Sequence, residues 1–312
     1  MSPADIATLP FDEWVNGFVR GWLVPNFRTF FRAAQTPITS VLNGLNGFLL
    51  AVPMLVMMLG FAAAAWRYAG KGMAIFVIVG FSFIDMIGLW PQTMTTLAMI
   101  LTSVFFCAII GVPAGILAAR SDIVWKIMRP VLDVMQTIPS FVYLVPIVML
   151  FGVGMTPGII ATIIFALPPI VRLTNLGIRN VRGDLIEAAQ AFGSTSWQML
   201  WDLQLPMAMR TIMAGLNQTL MMALSMVVIA ALIGGGGLGL VVNTGLGRLD
   251  VGSATAGGAA IVILAITLDR ITQGLADESG ARRVSLFQTL KGFFGAGSGA
   301  SVAEPAREPK IG

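Results

Sequence analysis

Charged side chains cut this sequence into long stretches that contain none: 33–66, 72–84, 86–119, 134–171, 211–247 and 251–268. A helix needs about 20 mostly apolar residues to span a hydrocarbon core of about 30 Å. The stretch 134–171 accommodates two such helices, and Gly152-Val-Gly-Met-Thr-Pro-Gly158 supplies the turn between them. The pattern predicts an all-α integral membrane protein with about seven transmembrane helices, at 48–66, 72–90, 95–119, 134–152, 157–172, 212–233 and 253–272.

Ahead of the first span the apolar positions recur at helical spacing instead of running together. Phe11, Trp14, Val15, Phe18 and Trp22 oppose Asp12, Glu13, Asn16 and Arg20; after Pro25, Phe27, Phe30, Phe31 and Ala34 oppose Arg28 and Arg32. Two short amphipathic helices on the outer membrane surface are expected, with a partly ordered tail as the alternative. The chain divides into an external N-terminal segment (1–46), a transmembrane domain (47–275) enclosing a cytoplasmic loop (173–209), and a flexible cytoplasmic tail (276–312) rich in small residues.

Composition agrees with the pattern. Of 312 residues, 56% are hydrophobic and 11% charged, and the mean hydropathy is +0.85; a soluble domain carries about 25% charged residues. No His occurs, which removes the usual general base and imidazole metal ligand. The lone Cys107 cannot form a disulfide within the chain. The first thirty residues, interrupted by Asp5, Asp12, Glu13 and Arg20, are not a cleavable signal peptide.

The basic residues set an orientation. If the loops alternate between two sides, one side holds fifteen of the 19 Lys and Arg, from Arg67 and Lys71 through Arg172, Arg179, Arg182 and Arg210 to the C-terminal residues. The other holds Arg20, Arg28, Arg32 and Arg248. The basic side is expected in the cytoplasm, which puts the N-terminus outside and the C-terminus inside a bacterial inner membrane. A net charge of +4 is then a matter of topology and lipid contact, and no nucleic acid partner is implied. Trp66, Trp90 and Trp125 fall near span ends, where interfacial anchors belong. No internal repeat is visible, so two-fold symmetry would come from pairing two chains.

The loop between the fifth and sixth spans has its own structure. Gly183-Asp-Leu-Ile-Glu-Ala-Ala-Gln-Ala-Phe-Gly193 reads as a two-turn helix with Asp184 capping it and Glu187 at the third position. Leu185, Ala188, Ala189 and Phe192 share one face, and Gly193 stops the helix in a left-handed conformation. Ser194 or Ser196 starts a second helix with Trp197, Leu200 and Trp201 on one side, ending at Leu203-Gln-Leu-Pro206. Such a pair is too short to cross a membrane. Its apolar face fits either docking into a partner's groove or resting on lipid.

Glu187-Ala188-Ala189, then Gly193, then Leu203-x-Leu205-Pro206 resembles the E-A-A loop of ATP-binding-cassette importer permeases, with Leu203 where the family usually has Ile. Longer strings are similar to the glycine betaine/proline permeases, whose subfamily includes choline and other quaternary-ammonium transporters: 141–152, 165–174, 217–230 and Gly247-Arg-Leu-Asp250. The resemblance covers roughly 11–273. It implies a type I importer core, a homodimer, two copies of an ATPase subunit docked through Asp184, Glu187, Ala188, Ala189, Gly193, Leu203, Leu205 and Pro206, and an extracytoplasmic solute-binding protein. The chain itself would be no enzyme and hold no cofactor.

Gly234-x-Gly236-x-x-Gly239 matches a dinucleotide fingerprint as a string, but it follows an apolar helix and no acid lies about 20 residues on, so a bend is expected. No phosphate loop occurs. Gly111 and Gly115 allow close helix approach, within one chain or between two. Pro113, Pro139, Pro146, Pro168 and Pro169 free carbonyls that can line a pathway or kink a purely structural span. Asp85 is the acid well inside a predicted span; as a coupling group it would suit an ion-gradient-driven carrier, the alternative function, and as a hydrogen-bonded group near the outer interface it would be structural. Phe141, Tyr143 and Phe165 offer cation–π faces to a passing cation but are as readily ordinary packing.

Overall fold

The computed structural model describes residues 13–14 and 17–295, and every regular element among them is helical. The start of the expected N-terminal helix, with Phe11, Asp12, Val15 and Asn16, lies outside these residues, as does the chain from 296 onward.

A π-helical stretch, Gly17–Leu23, runs directly into α1, Val24–Ala51, with Pro25 in its first turn. The expected separation at Pro25 does not occur: Leu23, just before α1, is itself helical (φ −68°, ψ −51°), so the winding continues through the proline. The break comes instead at Val52-Pro53. Val52 is extended (φ −74°, ψ 128°), as the residue before proline must be, and α2, Met54–Ala69, departs at 103°. The predicted span 48–66 is therefore divided between two helices. Ile38, Leu42, Leu45 and Leu49 form the stripe of α1 that packs on the core, with Leu42 and Leu49 buried.

After α2 come α3, Lys71–Met86, and α4, Trp90–Arg120. Trp90 is buried in a T-shaped contact with Phe81, 5.7 Å between centroids, so it is a core residue and not the exposed anchor expected of it. The next helix, α5, Asp122–Thr137, corrects a second span. It ends at Ile138-Pro139, where the chain turns through 104°. Only Leu132 of α5 is buried, while Ile123, Ile127, Val131 and Val134 are exposed along one face. The predicted fourth span is reduced to a 3₁₀ turn, Ser140–Tyr143, and α6, Leu144–Phe151. At about 1.5 Å per residue this piece reaches about 18 Å, short of a full crossing.

The centre is α7, Met155–Arg179, held between α4 and α9. Its neighbour α4 approaches through Gly111 and Gly115: a Cβ on Gly115 would sit 2.5 Å from Thr174 Cβ and 2.8 Å from the Val171 carbonyl oxygen. The glycine pair thus packs two helices of one chain. The short helix α8, Gly183–Ala191, precedes α9, Ser196–Ile233, a continuous helical stretch that is π-wound over Met199–Gln204 and ends in a 3₁₀ turn. A glycine bend leads to α10, Gly237–Gly247, and then α11, Val251–Gly295, which passes the expected tail boundary as a helix. Among the described residues, four helices are long and apolar enough to cross a membrane, and the two bent pairs raise this to at most six. With α3 only 16 residues long, seven complete crossings are not established.

Candidate functional site: the loop between α7 and α9

The loop starts from an ionic base. Arg179, on the last turn of α7, donates to Asn175 Oδ1 (2.8 Å), Asp122 Oδ1 (2.7 Å) and the Ala118 carbonyl (2.9 Å). One guanidinium, with five donors in a fixed fork, joins the ends of α7 and α4 to the start of α5. About two turns earlier, Arg172 pairs with Asp133 at 2.5 Å. Arg120 reaches across to the Ser196 carbonyl (3.4 Å) at the start of α9.

From this base α8 projects. Its N-cap is Arg182, extended and without a side-chain cap bond, so Asp184 lies inside the first turn and Glu187 in the second. The expected capping box at Asp184 and Glu187 is not formed. Asp184 instead pairs with Arg182 at 2.5 Å. That hydrogen bond is the main reason its carboxyl is held below the usual range; desolvation opposes it, while the charge of Arg182 and the Leu185 amide add to it.

The helix stops as expected at Gly193, φ 80°. Ser194 N–H donates to the Ala189 carbonyl (3.0 Å) and Gly193 N–H to Gln190 (2.9 Å), the paired bonds of a Schellman stop. The restart is at Thr195, not at Ser194 or Ser196. Its hydroxyl accepts from Gln198 N–H while Gln198 Oε1 accepts from Thr195 N–H, a reciprocal capping box. The Thr195-x-x-Gln198 spacing is a signature of that box, so this site was readable and the choice of the flanking serines missed it.

The faces differ from the sequence expectation. Leu185, Ile186 and Ala189 are half-buried, whereas Glu187, Ala188, Ala191 and Phe192 stay exposed, Phe192 to 92%. In α9 Leu200 is turned inward at 1% exposure, while Trp197 (61%) and Trp201 (53%) stack edge to face, 5.6 Å between centroids, on the outside. The eight residues singled out in the sequence therefore separate into two groups. Asp184, Glu187 and Ala188 are exposed on the projecting helix, with half-buried Ala189 and exposed Gly193 alongside. Leu203, Leu205 and Pro206 form the root: Leu205 is buried in the core, Leu203 and Pro206 are half-buried, and Pro206 sits in the first turn of Leu205–Ile229. What results is an apolar, aromatic knob on a rigid ionic base.

Elsewhere, Asp85 is exposed in the last turn of α3, not enclosed among helices where a coupling acid would have to work. The Gly234 motif forms a bend, with Gly234 and Gly237 at φ 83° and 72°.

Residues 111–279 match the family described as binding-protein-dependent transport system inner membrane component. The chain is 53% identical over 282 residues to the glycine betaine/proline betaine transport system permease protein ProW of Escherichia coli (strain K12), covering 90% of this chain and 79% of that one. It is 45% identical over 267 residues to the glycine betaine transport system permease protein OpuAB of Bacillus subtilis (strain 168), covering 86% and 94%. A solved structure, an inward-facing conformation of the MetNI methionine ABC transporter, has a TM-score of 0.54 at 25% identity and covers 62% of this chain and 95% of its own. These likenesses, with the exposed position of Asp85, leave the ion-gradient carrier without support.

Proposed function

The chain belongs to the family of binding-protein-dependent transport inner membrane components, and on that premise we propose that it is the permease subunit of an ATP-driven importer of glycine betaine and proline betaine. The observation that carries the solute assignment is the 53% identity across 90% of the chain to a permease of that name. A multi-pass inner-membrane location follows from the family and the apolar helices.

The permease pairs with a second copy of itself, with two ATPase subunits inside and with a solute-binding protein outside. The exposed tip of Glu187, Ala188, Phe192, Trp197 and Trp201 is what an ATPase groove would receive. Closure of the ATPases on ATP displaces α8, and the Arg179 ties hand that displacement to α4, α5 and α7. The bundle then switches between inward-open and outward-open arrangements as a shift between two populated states.

Uptake of labelled glycine betaine, proline betaine, choline, maltose and a dipeptide tests the solute class, in a strain lacking its own systems and supplied with this permease and its partners. Uptake of the betaines and not of maltose or dipeptide is expected; sugar or peptide transport with no betaine uptake would remove the assignment. The N-terminus and Arg248 lie outside and 173–209 inside in this reading, which the basic-residue asymmetry supports. An impermeant thiol reagent on right-side-out vesicles, with Thr8→Cys or Ser194→Cys in a Cys107→Ser background, should label the first and spare the second. The reverse pattern inverts the topology.

A further inference from the structure

At the opposite end of the molecule from the loop, a pocket of 350 Å³ opens between the start of α4, the face of α10 and the turn into α11. That volume lies within the range of about 300–1,000 Å³ usual for small-molecule sites. Leu240 and Val241 supply an apolar wall, and Arg248 and Asp250 stand at the lip. In the wall, Gln92 Oε1 is buried without a hydrogen-bond partner among the described residues. A buried amide oxygen left unpaired costs about 1–3 kcal/mol, and a ligand offering polarised hydrogens can offset it.

The lip carries an opposite pair of charges two residues apart, with Asp250 held in place at the start of α11. Leu249, φ 55°, is the one non-glycine in the left-handed region among the described residues, a conformation that costs about 1–2 kcal/mol for such a side chain. Asp250 caps α11: its carboxylate accepts from Ser253 N–H (3.1 Å) and from the Ser253 hydroxyl (2.6 Å). Those bonds, first the hydroxyl and then the amide, hold its carboxyl below the usual range, so it carries a charge at neutral pH. An arginine, a carboxylate and an apolar wall suit a compact zwitterion, whereas a net cation or anion would meet one unfavourable charge.

We propose that this pocket is the permease's own receiving site for the solute, with the carboxylate end of a betaine toward Arg248 and its methylated ammonium toward Asp250, Gln92 Oε1 and the Leu240–Val241 wall. The proposal rests on the betaine-importer reading above. A quaternary ammonium has no N–H to donate, so carboxylate and amide oxygens and apolar carbon are the surfaces that complement it. The site also adjoins the glycine bend. The Gln92 carbonyl accepts from Thr96 Oγ1 (2.9 Å), which itself accepts from Leu238 N–H (2.8 Å) at the start of α10. Occupancy at Gln92 therefore bears on the joint between α4 and α10.

The test uses the complete importer in proteoliposomes, with the binding protein outside and ATP inside, and glycine betaine as the solute. Arg248→Ala, Asp250→Asn and Gln92→Leu are compared with the exchange Arg248→Asp/Asp250→Arg. Asn remains a good helix cap, so the second variant removes charge while retaining the start of α11. Uptake should fall at least about tenfold in the single-charge variants, as expected for loss of a charge-assisted contact, while the affinity of the loaded binding protein for the permease stays within about twofold. The exchanged pair should recover part of the uptake. Unchanged uptake in the single variants would overturn the proposal. So would a parallel loss of binding-protein affinity, since the lip would then be a docking contact. If the unmutated importer moves no betaine, the underlying assignment has failed instead, which the same assay reveals.

Discussion

At one end α9 begins in a polar neighbourhood: Arg120 bonds to its first carbonyl, Arg179 ties α7 to α4 and α5 beside it, and two tryptophans project outward. At the other end it stops at four consecutive glycines, 234–237, packed closely against Gly154, Met155, Thr95 and Thr96. The first end is held by directional bonds between long side chains over a surface left open. The second is held by close approach and by short bonds to backbone amides, among them Gly154 N–H to the Ile233 carbonyl and Leu238 N–H to the Thr96 hydroxyl. The loop end thus combines a tied base with an open tip, which is what the proposed coupling role asks of it. At the glycine end, the φ values of Gly234 and Gly237, 83° and 72°, and the close contacts leave little space for a side chain.

The comparison breaks most sharply if the open tip is spoiled. Glu187→Lys and Phe192→Asp should each reduce ATP-driven uptake to background, a loss of about a hundredfold or more if docking carries about 3 kcal/mol of hot-spot energy, while the permease stays in the membrane at normal abundance. Uptake at the unmutated rate, at equal abundance, would mean the tip is not where the ATPase engages. Gly193→Val attacks the same element through the backbone, since its φ of 80° is costly for a β-branched residue.

The glycine end should respond in stability and not in coupling. A Cβ on Gly237 would collide with Thr96 Oγ1, and its φ of 72° adds backbone strain. Gly237→Val should cost about 2–5 kcal/mol from overpacking and left-handed strain together. It should therefore lower the detergent-extracted protein's Tm and its abundance. A variant that folds normally but fails to couple ATP to uptake would reverse the division drawn between the two ends.

Parts of both ends could be read along the chain, and the reasons are specific. Gly193 and the glycine run announce themselves because few other residues fit their φ. The Thr195–Gln198 capping box was equally available and was passed over for its serine neighbours. The break at Val52-Pro53 was hidden by uniformity: where every residue is apolar, periodicity has no phase, and only the X-Pro pair marks the stop. Around Ile138-Pro139 the polar residues Asp133, Gln136, Thr137 and Ser140 do mark the stop, and a span drawn from 134 runs across the last three. The inward turn of Leu185, Ile186 and Ala189 depended on which helix lay behind α8, which no local pattern encodes. The tie between Arg179 and Asp122, 57 residues apart, and the bond from Leu238 N–H to Thr96, 142 apart, could not be inferred from spacing. They exist only because α4 lies against α7 and α10.

The smallest effect expected is at Asp184, and it isolates the electrostatic character of the loop end. Its carboxyl is held below the usual range chiefly by the hydrogen bond from Arg182. A carboxylate depressed on folding contributes stability above its unfolded pKa, near 4, and loses that contribution as pH falls through the lower folded value. At neutral pH the pairing is therefore fully in force, and it fades only in acid below about pH 4. Both partners are largely exposed, at 73% and 58%, so screening by salt keeps the benefit slight. Amide exchange at Leu185 and Ile186 should speed up modestly as pH is lowered through this window, after correction for intrinsic rates, and Asp184→Asn should flatten the dependence. The same titration at Leu238, whose amide donates to the uncharged hydroxyl of Thr96, should show no such step. A step of equal size at both ends would mean that a shared titration elsewhere, and not the Arg182–Asp184 pair, sets the acid response.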